Sequence, residues 1–268
     1  KYPGIAYFKW DCNSPITNIY SPYLKDKQSH LYIDHVRGLY NVLERVKAKY
    51  PNLPMMLCSG GGGRTDYEAL KYFTEFWPSD NTDPIERIFI QWGYSHFFPS
   101  KTMAAHVTSW NKNAGIKFRT DVAMMGKLGF DIRTHEMTPA EQEYCKGAVQ
   151  NFNRLSGAIL DGDLYRLVSP YEGNHSAVMY VNETTDKAVL FAFDIHPRYG
   201  EMLQPVRLQG LNPDAQYEIK EINLIPGTKS ILKCDGKTFS GELLMKVGIP
   251  VFSGRQLASR VIEISKVK

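Results

Sequence analysis

The texture of this chain changes once, and that change constrains its architecture more than any other feature. Thr138-Pro139-Ala140-Glu141 combines a capping Thr, a Pro at the first helical position and a Glu at the third. Together they start a helix, predicted to run to about residue 155. Ahead of it, short apolar runs alternate with helix-length segments. Residues 4–10 read as a buried strand, and 32–46 as a helix with Ile33, Val36, Leu39, Tyr40, Leu43 and Val46 at helical spacing. Pro51 and Pro54 end that helix and introduce a strand over 55–58. A helix is expected over 68–73, a short strand at Phe76-Trp77, and a helix over 84–91 with Asp83 as its cap. Strands are expected over 103–107 and 116–125. This alternation argues for parallel strands wrapped by helices.

Past the capped helix the runs shorten. Residues 165–168, 177–181, 188–193, 206–209, 217–222, 241–247 and 259–264 are strand-like and separated by Gly, Pro, Asn and Asp. Short strands with regular turn signals point to an antiparallel β-sandwich. The reading is therefore an α/β domain over 1–160 and a sandwich domain over 161–268.

Composition serves mainly to exclude. With 43% hydrophobic residues in 268, the chain can bury a sizeable core. Its net charge of +4 is scattered rather than gathered into a basic block, so nucleic acid is not an expected partner. No apolar run is long enough to span a bilayer, so no membrane is expected either. The four cysteines form no CxxC pair and the seven histidines no HExxH pair, so no metal or other cofactor is expected. The chain opens on Lys1-Tyr2-Pro3-Gly4 without Met and runs straight into a strand, which reads as a processed protein or a portion of a longer one. Its compartment, cytoplasmic, periplasmic or secreted, is left open.

Two aspartates sit where apolar runs give way to polar residues, the place where a barrel enzyme keeps its chemistry. Asp11 ends Tyr7-Phe8-Lys9-Trp10-Asp11, and Asp80 ends Trp77-Pro78-Ser79-Asp80. Lys9 and Asp11 are two apart on a strand and share a face, where the cation favours an ionised carboxylate. A surface ion pair is the competing reading. Asp80 lies among aromatic residues, which suits a carboxyl that gives up a proton. A turn or helix start explains the same Ser-Asp-Asn-Thr-Asp run. Between the two lies Cys58-Ser59-Gly60-Gly61-Gly62-Gly63-Arg64, whose glycines let backbone approach a ligand. That run lacks the Gly-Lys-Ser/Thr ending of a P-loop and the dinucleotide fingerprint. A flexible loop explains it as well. His106, Trp92 and Trp110 could line a pocket or fill a core, and Tyr171, Tyr180 and Tyr199 could form a sugar platform.

Taken in order, these motifs resemble glycoside hydrolase family 36, the α-galactosidases. The resemblance continues through Asn81-Thr82-Asp83, Glu86-Arg87, Gly93-Tyr94-Ser95, Met103-Ala104-Ala105-His106-Val107 and Asp121-Val122-Ala123. It implies a (β/α)8 TIM-type barrel of which only strands four to eight are present, followed by the sandwich. It further implies Asp11 as nucleophile, Asp80 as general acid/base, and Lys9, Trp10, Cys58, Gly60 and Trp77 as substrate contacts. The reaction would be retaining hydrolysis of terminal α-galactosides, with the two carboxyls about 5–5.5 Å apart. Other activities compatible with the resemblance are α-N-acetylgalactosaminidase or galactosyl transfer, and a non-catalytic carbohydrate-binding fragment. Asn13 agrees with many relatives, whereas Ser14 stands where they carry Arg. Five strands cannot close an eight-stranded barrel. The implied partners are therefore a galactoside oligosaccharide, the missing N-terminal half of the enzyme and, by resemblance, further copies of the protein. Alone, the chain is expected to have little or no activity.

Overall fold

The computed structural model describes residues 4–11 and 17–267. Cys12, Asn13 and Ser14 lie outside the described residues. The chain divides into two compact units, Lys1–Asp80 and Asn81–Lys268.

The first unit is a three-stranded parallel sheet: β1 (Phe8–Asp11), β2 (Met55–Cys58) and β3 (Glu75–Phe76), in that spatial order. Helix α1 (Leu31–Lys49) connects β1 to β2. Met55, Met56, Leu57 and Cys58 are all buried, as a run of four apolar residues in a central strand should be. Strand β1 was expected to be buried and is not. It is the sheet edge, and Phe8 keeps 42% of its surface exposed. Helix α1 buries only Leu43, while Tyr32, Ile33, Val36 and Val42 of its apolar face remain exposed. The helix expected over 68–73 is a single 3₁₀ turn, Glu68–Lys71.

The second unit begins with helix α2 (Pro84–Tyr94). Asp83 caps it by accepting hydrogen bonds from the backbone N–H of Ile85 at 2.9 Å and Glu86 at 3.1 Å. Strand β4 (Ala104–Thr108), helix α3 (Ile116–Ala123) and β5 (Lys127–Asp131) form a β-α-β unit with parallel pairing. The strand expected over 116–125 is thus a helix. Ile116, Phe118, Thr120 and Val122 alternate like a strand, yet Asp121 and Ala123 are buried too. A short helix covered on most sides shows no helical stripe. Strand β5 escaped detection because Gly129 sits in it. A Cβ there would lie 2.3 Å from the His106 ring, so only glycine fits.

The capping-box helix is present as α4 (Pro139–Asp161), with Thr138 and Glu141 bonding reciprocally. Its buried face carries Tyr144, Ala148, Phe152, Leu155 and Ile159 at helical spacing. The chain then enters β6 (Asp163–Val168), β7 (His175–Val181), β8 (Lys187–Asp194), β9 (Gln216–Ile222), β10 (Thr238–Ser240), helix α5 (Gly241–Lys246) and β11 (Ala258–Lys266). The six strands make one antiparallel sheet in the order β10-β9-β11-β8-β7-β6. One face, with Val178, Tyr180, Val189, Phe191, Phe193 and Val261, shares a core with α3 and α4. The other, with Met179, Leu190, Ile219 and Ile262, is covered by Leu208, Leu211, Leu232, Leu244 and Val251.

The sandwich expectation is therefore corrected. The antiparallel sheet is there, but among the described residues its outer face is covered by loops and α5 rather than by a second sheet. The run 206–209 contributes only the bridge from Val206 to Ile249. The run 241–247 is helix α5, capped by Ser240, whose hydroxyl accepts from Leu243 N–H at 3.2 Å. Apolar residues in both segments cover the sheet face without extending as strands. No helix of the described residues is long and apolar enough to cross a membrane.

Candidate active site

In the three-stranded sheet, parallel register decides which side chains meet. Lys9 lies beside Met56, and Met56 beside Glu75; Asp11 lies beside Cys58. Trp77 follows β3 and extends its ladder, its N–H donating to the Leu57 carbonyl at 2.9 Å. Alternation along each strand therefore puts Lys9, Asp11, Cys58, Glu75 and Trp77 on one face.

Each of the two aspartates has a neighbour on that face. Cys58 lies beside Asp11 in register, and Asp11, Lys9 and the Gly61 backbone all act on its thiol. Burial pushes the thiol's pKa up, with the neighbouring Asp11 adding to the effect, so it remains an S–H donor near neutrality. Lys9 Nζ stands 5.1 Å from the centroid of the Trp77 ring. Trp77 Nε1–H donates to Asp80 Oδ1 at 2.9 Å. Asp11 and Asp80 are both exposed, whereas Cys58 and Trp77 beside them are buried. Two solvent-facing aspartates thus sit beside buried neutral side chains, with Lys9 over the Trp77 ring.

The glycine run positions the Asp80 backbone. Gly60 and Gly61 have φ of +56° and +90°. A Cβ on Gly61 would lie 2.8 Å from Ser79 Cα, and one on Gly62 would lie 2.9 Å from the Pro78 carbonyl oxygen. Gly62 N–H donates to that same oxygen at 3.1 Å. These glycines let the loop press directly on Pro78-Ser79, the segment that carries Asp80.

Two expected contacts fall elsewhere. Trp10 points to the opposite face of β1, beside Phe8 at 6.0 Å between ring centroids, and lines a groove with Val46, Tyr50 and Leu53. The strand alternation that puts Lys9 and Asp11 together necessarily sends Trp10 away. Gly60 borders a cavity of about 520 Å³ on the α1 side, shared with His35, Tyr40, Arg64 and Asp66. Neither Asp11 nor Asp80 is among the described residues lining that cavity.

Glu75 was not anticipated. It is buried on the same face as Lys9 and accepts a short hydrogen bond from the Tyr7 hydroxyl. Burial and this partner push the Tyr7 phenol well above its ordinary range. The only available signal was the i, i+2, i+4 series Tyr7, Lys9, Asp11, which shares one strand face. A lone Glu ahead of Phe76 carries none. Of the three tyrosines suggested as a sugar platform, Tyr180 is buried and donates to the Met125 carbonyl at 2.7 Å. It cannot join a sugar platform with the exposed Tyr171 and Tyr199. Trp92 packs against the second unit's core and Trp110 is exposed.

Two accessible carboxyls, Asp11 on the sheet face and Asp80 bonded to Trp77 of that face, make this a candidate glycosidase site. Residues 1–162 match the Melibiase family model, and residues 175–264 match the model of the glycosyl hydrolase family 36 C-terminal domain. The chain belongs to this glycoside hydrolase family. It is 34% identical over 270 residues to alpha-galactosidase 2 of Hypocrea jecorina, covering 98% of this chain and 33% of the relative. It is likewise 34% identical over 254 residues to alpha-galactosidase 1 of Pediococcus pentosaceus, covering 92% and 33%. Among solved structures, the GH36 alpha-galactosidase AgaB from Geobacillus stearothermophilus superimposes with a TM-score of 0.88 at 31% identity, covering 98% of this chain and 35% of that one. A variant of AgaA from the same organism, in complex with stachyose, gives a TM-score of 0.87 at 30% identity over 98% of this chain and 36% of that one. The chain spans about a third of the length of the curated relatives it matches.

Proposed function

We propose that this chain supplies the catalytic pair of a retaining α-galactosidase. The observation that carries the reading is that one sheet face serves both aspartates: Asp11 lies on it beside Cys58, and Asp80 is bonded to its Trp77, over whose ring Lys9 stands. Asp80 protonates the departing glycosidic oxygen while Asp11 attacks the anomeric carbon, forming a glycosyl-enzyme ester. Asp80, now a carboxylate, takes a proton from water. The water oxygen then displaces Asp11 and releases galactose with its configuration retained. Lys9 and Cys58 face the same side as Asp11 and are the side chains in reach of sugar hydroxyls. Trp10, on the other face, packs rather than binds substrate.

In this reading β1 to β5 are strands four to eight of a (β/α)8 barrel, within a catalytic portion over 1–160, and residues 161–268 form the C-terminal domain built on the antiparallel sheet. An upstream half supplies the first three strands and the rest of the pocket. The substrates are terminal α-galactosides of the raffinose and stachyose type, as in the AgaA complexes.

Aryl α-galactoside and raffinose hydrolysis by the polypeptide joining this chain to its upstream half tests the reading. Asp11→Asn should lower turnover by more than about 1,000-fold. Turnover undiminished in that variant, or galactose binding without any turnover in the parent protein, would reject the reading.

A further inference from the structure

We propose that Trp77 is a positioning residue for Asp80: its indole N–H holds the acid/base carboxyl, and Lys9 holds the indole. The proposal deepens the reading above and rests on Asp80 being the acid/base. Trp77 is the kind of residue that would ordinarily be assigned to stacking against a sugar ring. Here its ring is 6% exposed and one of its faces is taken by Lys9 Nζ. Its polar edge, by contrast, is committed to Asp80, with Nε1 at 2.9 Å from Oδ1.

The geometry is closed at every point. The Trp77 backbone is pinned to β2 through the Leu57 carbonyl. The intervening Pro78-Ser79 is pressed by Gly61 and Gly62, which leave no room for a Cβ. Asp80 therefore has a backbone fixed by the glycine loop and a side chain fixed by the indole. An exposed aspartate without such support would sample its rotamers freely.

The hydrogen bond also has a direction in the chemistry. With Oδ1 engaged by an N–H donor, the transferable proton is carried on Oδ2. When it passes to the leaving oxygen, Asp80 becomes a carboxylate. A hydrogen bond to the charged form is stronger than one to the neutral acid. The indole thus stabilises the state that exists once the leaving group has been protonated, and that stabilisation matters most when the leaving group needs a full proton. For activated aryl leaving groups, which depart with little protonation, it matters little.

Trp77→Phe keeps an aromatic ring under Lys9 and removes the N–H donor, at the cost of some buried ring volume. Measured in the same polypeptide that joins this chain to its upstream half, kcat/KM for raffinose should fall by about 10- to 100-fold, as expected for loss of a hydrogen bond to a charged group. Activated aryl galactosides should lose less than about threefold. Equal losses with both substrates would overturn the proposal, because a merely structural defect does not discriminate between leaving groups. An independent arm uses 5-fluorotryptophan and 19F NMR. The resonance missing from Trp77→Phe should move as one carboxyl titrates in the parent protein and stay fixed in Asp80→Asn. A resonance that titrates unchanged in Asp80→Asn would also overturn it. The NMR arm needs no turnover. A coupled resonance in a protein that hydrolyses no galactoside would sink the activity and leave the positioning contact standing.

Discussion

The three-stranded parallel sheet and the six-stranded antiparallel sheet bury their strands to very different degrees. In the antiparallel sheet, β7 is buried from end to end and β8 in all but its first residue, with apolar side chains under α3 and α4 on one face and under loops on the other. In the parallel sheet β2 and the two-residue β3 reach that state, and β1 lies open at the edge with Phe8 exposed. The difference shows where each sheet finds its cover. The central strands β7 and β8 find theirs within residues 81–268, while among the described residues of 1–80 the parallel sheet leaves an apolar edge and most of the α1 stripe uncovered. An unpaired, apolar edge is a pairing surface.

The sharpest way to break this contrast is to truncate one aromatic in each sheet. Phe191→Ala, in the centre of β8, should cost about 3–5 kcal/mol by denaturant unfolding. Phe8→Ala in β1 should cost less than about 1 kcal/mol. Comparable costs would mean that the edge is covered after all. Gly61→Ala comes next. It adds a Cβ 2.8 Å from backbone at a residue with φ of +90°, for an expected loss of about 2–3 kcal/mol. Because the displaced segment carries Asp80, activity should fall further than stability.

A smaller effect belongs to Glu263 in β11. Burial alone would raise its pKa, but Arg154 at 2.7 Å and Lys187 at 2.6 Å bring it down to about 2. A depressed carboxyl stabilises the fold above its unfolded pKa near 4.5, and the contribution is lost as pH falls from there toward 2. Both cations are partly exposed, so the term is no more than about 2 kcal/mol. Glu263→Gln should flatten the stability profile across that acid range in urea titrations and leave the neutral to alkaline slope unchanged. The smallest effect is expected from Thr138→Ala, which removes the α4 cap at about 1 kcal/mol. A negligible change there would show that the packed face of α4 alone fixes its start.

Legibility in the sequence followed how one-sided each element's environment is. Strand β2 was readable to the residue, because four apolar residues between Pro54 and the glycine run admit little else. Helix α4 was readable from its capping box, and α2 from Asp83-Pro84. Helix α3 was misread because burial on most sides erased its period, and β5 because Gly129 yields to a histidine ring. Apolar residues at 206–209 and 241–247 mark contact with the sheet face, which strands, loops and helices supply equally well. The candidate site divides along the same line. Asp11 and Asp80 were marked by motif, and alternation placed Lys9 with Asp11. The Trp77–Asp80 bond depends on a tight turn and an indole angle that spacing alone does not encode. Trp10 was placed with its neighbours in the motif, although alternation along β1 sends it to the other face.

The three free cysteines among the described residues have a practical corollary. Cys58 lies in β2, Cys145 in α4, and Cys234 in the loops over the antiparallel sheet. All three are buried, and burial pushes each thiol's pKa up. An alkylating reagent needs an accessible thiolate, so each site reacts only when its own surroundings part. Labelling rates at the three positions, resolved by peptide mass, would clock the breathing of three separate regions in one unmodified protein.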